Sequence, residues 1–478
     1  MSNIPVPQAR YELLKDETKT RFVTNKRICL VSAIVLLSFA FAGIIILIVN
    51  LQYFINGFRL PDYYQPQEFP SQWVQRAIKY NSFDETTVKK ELPEYSHKNY
   101  RYKNLPDFKL VCYYSIPNQE NGDNSLHSNQ IDPNLCTHIN VGFVSVKNNT
   151  IELSQNANQT LQNISSLKRL NKNLKVLISV GGGGDESEFP EMVLNHANRK
   201  MFIRSAVSIL KEFKLDGIDL DWEFPNENQK GDHKQRMHFS QLLNEIRQEI
   251  KRHAEKHRFL LTVAVAAPRT IVDNSYDVSY MNEYVDFVNV MSYDYHFYTK
   301  LTPYTGLNAP LYARANEKGF LKTMNINSTA FYWHESGMDK AKIIVGLPTY
   351  GHSFQLVNPS NNGLTAPASG YGKIGTFGFV DYSDICWFLT YYQIKAMFDL
   401  ESKSPYACKG TEWISFEDMQ SVSYKTEFIK DNNFGGAMIL SLNTDDHKGN
   451  CGTKFAPGAD ETFPLTRKVK SILYDDQL

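Results

Sequence analysis

From Phe108 onward, short β-branched runs alternate with longer segments whose apolar residues recur every three to four positions. The first pattern fits a strand buried on both faces, the second an amphipathic helix. Eight strand-like runs can be marked: KLVCYYSI (109–116), HINVGFVSV (138–146), KVLISVGG (175–182), GIDLDWEF (217–224), LLTVAVAA (260–267), FVNVMSYDY (287–295), IIVGLPTYG (343–351) and GAMILSLN (436–443). Helical periodicity lies between them, in NRKMFIRSAVSILKEF and HFSQLLNEIRQEIKRHAEKH. Eight strand–helix repeats predict an α/β fold, a (β/α)8 TIM barrel, with its site at the C-terminal ends of the strands. A doubly wound open sheet is the alternative. It would usually bring a glycine-rich nucleotide loop after the first strand, and YYSIPNQENG offers none. The longest gap separates the seventh and eighth runs, where turn-rich VNPSNNGLTAPASGYGKIG predicts an inserted lobe over 353–416.

A different pattern precedes the repeats. Ile28–Val49 is uncharged and as long as the ~20 residues needed to cross a bilayer. Arg10, Lys15, Lys19, Arg21, Lys26 and Arg27 lie before it, and the first basic residue after it is Arg59. The positive-inside rule then predicts a type II signal-anchor: a cytoplasmic tail over 1–27, a membrane helix over 28–49, and the rest outside the cell or in a lumen. A buried soluble helix is the competing reading of the same segment. Residues 50–106, rich in Tyr and Pro, read as a stem or as an extra lobe packed on the main domain. The barrel is expected over 107–470, with a short tail over 471–478.

Composition adds little except at the margins. Basic and acidic residues balance at 51 each, which argues against a nucleic-acid partner. Five cysteines, Cys112, Cys136, Cys386, Cys408 and Cys451, follow the membrane segment, on the side where disulfides form. Their odd number leaves one over, and spacing alone does not pair them. Asn148, Asn158, Asn163 and Asn327 head glycosylation sequons, which suit an exported domain.

The chemistry concentrates in KLDGIDLDWEFP (214–225), where Asp216, Asp219, Asp221 and Glu223 fall within eight residues. Residues two apart in a strand share a face. Asp219, Asp221 and Glu223 therefore point one way and Ile218, Leu220 and Trp222 the other. In a barrel, the acids would stack up the axis with Glu223 nearest the rim, while Asp216 before the strand reads as a turn or cap residue. Like charges this close cannot all ionise cheaply, so at least one is expected to hold a proton near neutral pH. A protonated carboxylic acid at a cleft rim is what glycosidic bond cleavage requires. A metal site or a structural acidic network is the bland alternative. An EF-hand loop is excluded by Phe224 and the strand context.

Taken together, DGIDLDWEFP, SVGG (179–182), MSYDY (291–295), GLPTYGHSF and GGAMILSLNTDD resemble the motifs of glycoside hydrolase family 18, the chitinases and chitinase-like lectins. The resemblance runs from about Phe108 to Lys470. It implies a small α+β insertion lobe and a retaining, substrate-assisted mechanism acting on chitin or N-acetylglucosamine oligosaccharides, with no metal or organic cofactor. It casts Glu223 as the general acid, Asp221 as the group orienting the 2-acetamido group and Asp219 as its proton-sharing partner. Tyr293 would hydrogen-bond the acetamido carbonyl. Asp294, Met291, Gly181, Gly182, Tyr113 and Leu440 would line the sugar site. It also implies the disulfides Cys112–Cys136 and Cys386–Cys451, with Cys408 left over.

Several cleft positions depart from the family pattern. Pro117, Thr299 and Leu440 stand where tryptophan is common, Gly183 follows SVGG, Asn443 replaces an aspartate, and His352 an arginine. A lost stacking aromatic weakens binding by roughly 1 kcal/mol, by analogy with aromatic pairs. Three functions follow: a membrane-tethered hydrolase, a chitinase-like binding protein with little turnover, or a cell-surface scaffold. The intact Glu223 favours the first and Leu440 the second.

Overall fold

The computed structural model describes residues 108–117, 125–183, 188–226, 234–451 and 462–474. The segments predicted as a cytoplasmic tail, a membrane helix and a stem lie outside them. Among the described residues no helix is long and apolar enough to cross a membrane.

Each of the eight predicted runs coincides with a barrel strand, the second of which extends one residue beyond its run: Lys109–Ser115, His138–Lys147, Lys175–Gly181, Gly217–Asp221, Leu260–Val265, Phe287–Val290, Ile343–Pro348 and Gly436–Leu440. Every strand pairs in parallel with its neighbours, and the first pairs with both the second and the eighth, so the sheet closes. The open-sheet alternative is thereby excluded. Inward and outward faces are both covered, which is why the strands read as continuous apolar runs rather than alternating ones.

Most strands end short of the predicted bounds, and the shortfall builds the mouth. The fourth stops at Asp221, leaving Trp222 to stack on Phe189 at 5.2 Å among the outer helices. The sixth stops at Val290, and Asp294 takes φ +55, a left-handed conformation that no strand continues through. The seventh ends at Pro348, which has no amide to donate. Tyr350–Leu356 then opens the inserted lobe, a six-stranded antiparallel sheet with helix Tyr382–Tyr391, so the lobe starts three residues earlier than predicted. Phe354, Leu356, Ala366, Ala368 and Trp413 form its own small core.

Two disulfides fasten these parts. Cys112–Cys136 ties the first strand to the approach of the second. Cys386–Cys451 ties the lobe helix to the segment after the eighth strand, and Cys408 is a half-buried free thiol. Helix Pro464–Tyr474 runs past the predicted domain end at 470 because Leu473 is buried. Of the sequons, Asn148 and Asn163 are exposed, while Asn158 and Asn327 are half-buried.

Candidate active site

The acidic strand has four levels. At its foot, Asp216 is more than a turn residue: it accepts Lys168 Nζ at 2.7 Å and the Val176 amide at 2.9 Å, tying a helix end to the third strand. One step up, Asp219 is fully buried on the barrel axis. Thr262 Oγ1 (2.5 Å) and Asn289 Nδ2 (3.1 Å) donate to its Oδ1. Tyr113 Oη and Ser179 Oγ, each at 2.7 Å, donate to its Oδ2. Burial pushes the Asp219 pKa up, against the pull of these four hydrogen bonds. Asp221 lies above it, 4% exposed. Glu223 is half-buried at the rim, past the strand end. Burial, joined by the negative charge of Asp294, pushes its pKa up to about 7.

The rest of the mouth is set by the sixth and seventh strands. Tyr293 is buried beside the ladder, its hydroxyl 3.9 Å from Met438 Sδ. Burial, then the Asp221 charge, holds its phenol well above the usual range, so it remains a hydroxyl donor at any working pH. Asp294 lies exposed at the rim, where Tyr350 Oη donates to its Oδ1 at 2.7 Å and His352 Nε2 lies 2.7 Å from the same oxygen. Leu440 is half-buried and lines a cavity of about 690 Å³ with Phe143, Gly183 and Phe379. Met291 is half-buried against the core.

Two groups of predicted binding residues act indirectly. Tyr113 is 2% exposed and its hydroxyl is engaged by Asp219, so it positions that acid from beneath the mouth. The glycines make room. A Cβ on Gly181 would lie 2.0 Å from the Asp221 carbonyl oxygen, and one on Gly182 would lie 2.6 Å from the Phe143 ring. Gly183 faces the acid itself, where a Cβ would lie 3.3 Å from Glu223 Oε1. Ser179, Thr262, Asn289 and Tyr350 were not singled out by the sequence reading. The first three carry a usable signal, a lone polar residue inside an apolar run. Among the described residues no cluster of His, Cys, Asp and Glu is arranged to hold a metal ion.

A closed (β/α)8 barrel with an acid of raised pKa at its mouth, set above the hydrogen-bonded Asp219, has the architecture of a glycosidase. The comparisons agree. The model of glycosyl hydrolases family 18 matches residues 109–445, and the chain belongs to that family. Chitotriosidase-1 of Mus musculus is 35% identical over 375 residues, 76% of this chain and 78% of that protein. Chitinase-3-like protein 2 of Homo sapiens is 35% identical over 376 residues, 77% of this chain and 93% of that protein. Among solved structures, the Group IV chitinase of Ostrinia furnacalis in complex with allosamidin superposes with a TM-score of 0.71 at 32% identity, covering 78% of this chain and all of that one. YKL-39 in the presence of chitooligosaccharides does so with a TM-score of 0.71 at 34% identity, with the same coverage.

Proposed function

We propose that this protein is a chitinase-type glycosidase that cleaves β-1,4-linked N-acetylglucosamine chains with retention, its barrel held outside the cytosol by the Ile28–Val49 anchor. The observation that carries the activity is Glu223: half-buried, open to the mouth, with a pKa pushed up to about 7. Near neutral pH a large share of this acid holds a proton it can give to the leaving glycosidic oxygen. As that C–O bond breaks, the sugar's own acetamido oxygen closes on the anomeric carbon. Asp221 orients the acetamido N–H and Tyr293 donates to its carbonyl. Glu223, now a carboxylate, takes a proton from the water that reopens the ring on the same face. Support also comes from relatives named as a chitotriosidase and a chitinase.

A second reading, sugar binding without turnover, is favoured by Leu440, which offers no flat face beneath the reacting sugar. Human YKL-39 is described as a pseudo-chitinase with retained chitooligosaccharide binding. Fluorogenic N-acetylglucosamine oligomers separate the readings, with Glu223→Gln as control. Turnover abolished by that substitution supports the hydrolase. Binding with no turnover in the native chain supports the lectin, and neither activity supports the scaffold. The anchor is tested by alkaline extraction of membranes and protease protection. Release of the intact chain at high pH would overturn it.

A further inference from the structure

One tryptophan is out of place. Trp222, Trp333 and Trp413 are at most 6% exposed, whereas Trp387 is 54% exposed. It sits on the lobe helix Tyr382–Tyr391, which buries Tyr382, Ile385, Cys386 and Phe388. The opposite face would ordinarily be polar. Instead Tyr391, four residues on and 65% exposed, stacks beside Trp387 with ring centroids 4.9 Å apart and planes 15° from parallel. Tyr392 meets both rings edge-on. Tyr391 thus backs one face of Trp387, and the exposed pair forms an aromatic shelf on the lobe surface.

Trp387 itself lines a cavity of about 570 Å³ whose wall also includes Asp384, Lys448 and Asn450. That cavity shares Asp381 and His447 with the one over Leu440, so the shelf continues the sugar cleft. Cys386 lines the Trp387 cavity too, and its disulfide to Cys451 fixes the helix against the segment after the eighth strand. Flat aromatic faces suit the C–H faces of equatorially substituted pyranoses, while carboxylate, amide and ammonium groups beside them suit hydroxyl and acetamido groups.

We propose that Trp387, backed by Tyr391, forms an auxiliary subsite for the same β-linked N-acetylglucosamine chain, reached from the cleft past Asp381 and His447, which supplies the stacking that Leu440 lacks. This rests on the sugar-binding side of the proposed function and holds for the hydrolase and the lectin alike. The occupant is a chain long enough to span cleft and shelf, so short oligomers bind without it.

The test is calorimetric titration of the full-length Glu223→Gln chain with the N-acetylglucosamine trimer and hexamer, with and without Trp387→Ala/Tyr391→Ala. The shelf variant should weaken hexamer binding by about fivefold and leave the trimer unchanged, a loss in the range of one aromatic contact. Trp387→Phe, which keeps a flat ring, should recover most of the loss. Equal affinities in both backgrounds overturn the shelf while leaving the cleft reading standing. Equal losses for trimer and hexamer also overturn it. A change in sedimentation without a change in hexamer affinity reassigns the shelf to contacts between chains and overturns it as well. Absence of any oligomer binding in the Glu223→Gln parent overturns the shelf and the carbohydrate reading together.

Discussion

The two ends of the barrel use one physical device with opposite signs. At the foot, His138 begins the second strand and is 9% exposed. Burial, with the positive charges of Lys109 and Lys175, pushes its pKa down to about 3. At the mouth, burial and the negative charge of Asp294 push Glu223 up to about 7. Both environments disfavour the charged form. The foot thereby keeps a base that does not take a proton, and the mouth keeps an acid that has one to give. Even the acids of one strand divide this way, since Asp216 at the foot is ion-paired to Lys168 while Glu223 faces another carboxylate. Structure is secured at the foot and chemistry is poised at the mouth, the division expected of this fold.

The largest break in the comparison is Glu223→Gln. Removing the acid should lower kcat on fluorogenic oligomers by about 10²–10⁴-fold, the usual contribution of a positioned proton donor. The melting temperature should not fall, because a neutral amide sits more easily than a carboxylate beside Asp294. The native enzyme should also lose activity as pH rises through about 7, where Glu223 gives up its proton. A flat profile from pH 6 to 9 would assign the proton to another group.

Asp219 sharpens the boundary between the two ends. Four donors converge on its oxygens, and an amide in its place would turn an NH2 group toward two of them. Asp219→Asn is expected to destabilise the barrel by about 1–3 kcal/mol, the cost of a buried polar group left without a proper partner. Urea unfolding measures it. An unchanged midpoint would mean that the axis tolerates either side chain, and that the ladder is not a stability element.

How much of this could be read from the chain follows from sequence distance. Strands made of continuous apolar runs were legible, and so was the acid ladder, because strand periodicity alone puts Asp219, Asp221 and Glu223 on one face. The cage around Asp219 was not, since Tyr113, Thr262 and Asn289 reach it across 106, 43 and 70 residues. Local pattern marks Thr262 and Asn289 as odd polar residues but does not say what they face. Strand ends were overestimated because Trp222 and Tyr293 remain apolar after the hydrogen-bonded ladder stops, so the pattern outlasts the pairing. The aromatic shelf was hidden for the opposite reason. Trp387 and Tyr391 look like core residues of a short helix, and only the packing of Ile385 and Phe388 shows which face is left outside.

The mirrored pKa shifts should also appear as opposite slopes of stability with pH. Glu223 binds its proton more tightly folded than unfolded between pH 4.5 and about 7. Its contribution is therefore full below 4.5 and is lost as pH rises through 7. His138 is the reverse. The unfolded chain binds the proton more tightly between 6.5 and about 3, so stability falls as pH drops through that window. Glu223→Gln should flatten the first slope and His138→Gln the second, read from urea midpoints at pH 4, 5.5 and 7. Substitutions that left both slopes unchanged would show that other groups govern them.

The smallest expected effect lies in the Lys168–Asp216 pair, and it tests whether the foot is separate from the chemistry. The two side chains are 24% and 18% exposed, so the pair is partly screened. Asp216 Oδ2 also keeps the Val176 amide, and Lys175 lies 3.8 Å from its other oxygen. Lys168→Ala thus leaves the carboxylate with two of its contacts, and the loss should be no more than about 1 kcal/mol. It should appear as a small fall in melting temperature that shrinks further in high salt. Because Asp216 sits below Asp219 and at the opposite end of the strand from Glu223, kcat and KM should not change. A fall in kcat at unchanged stability would mean that a charge at the foot is felt at the mouth, and the separation of the two ends would fail.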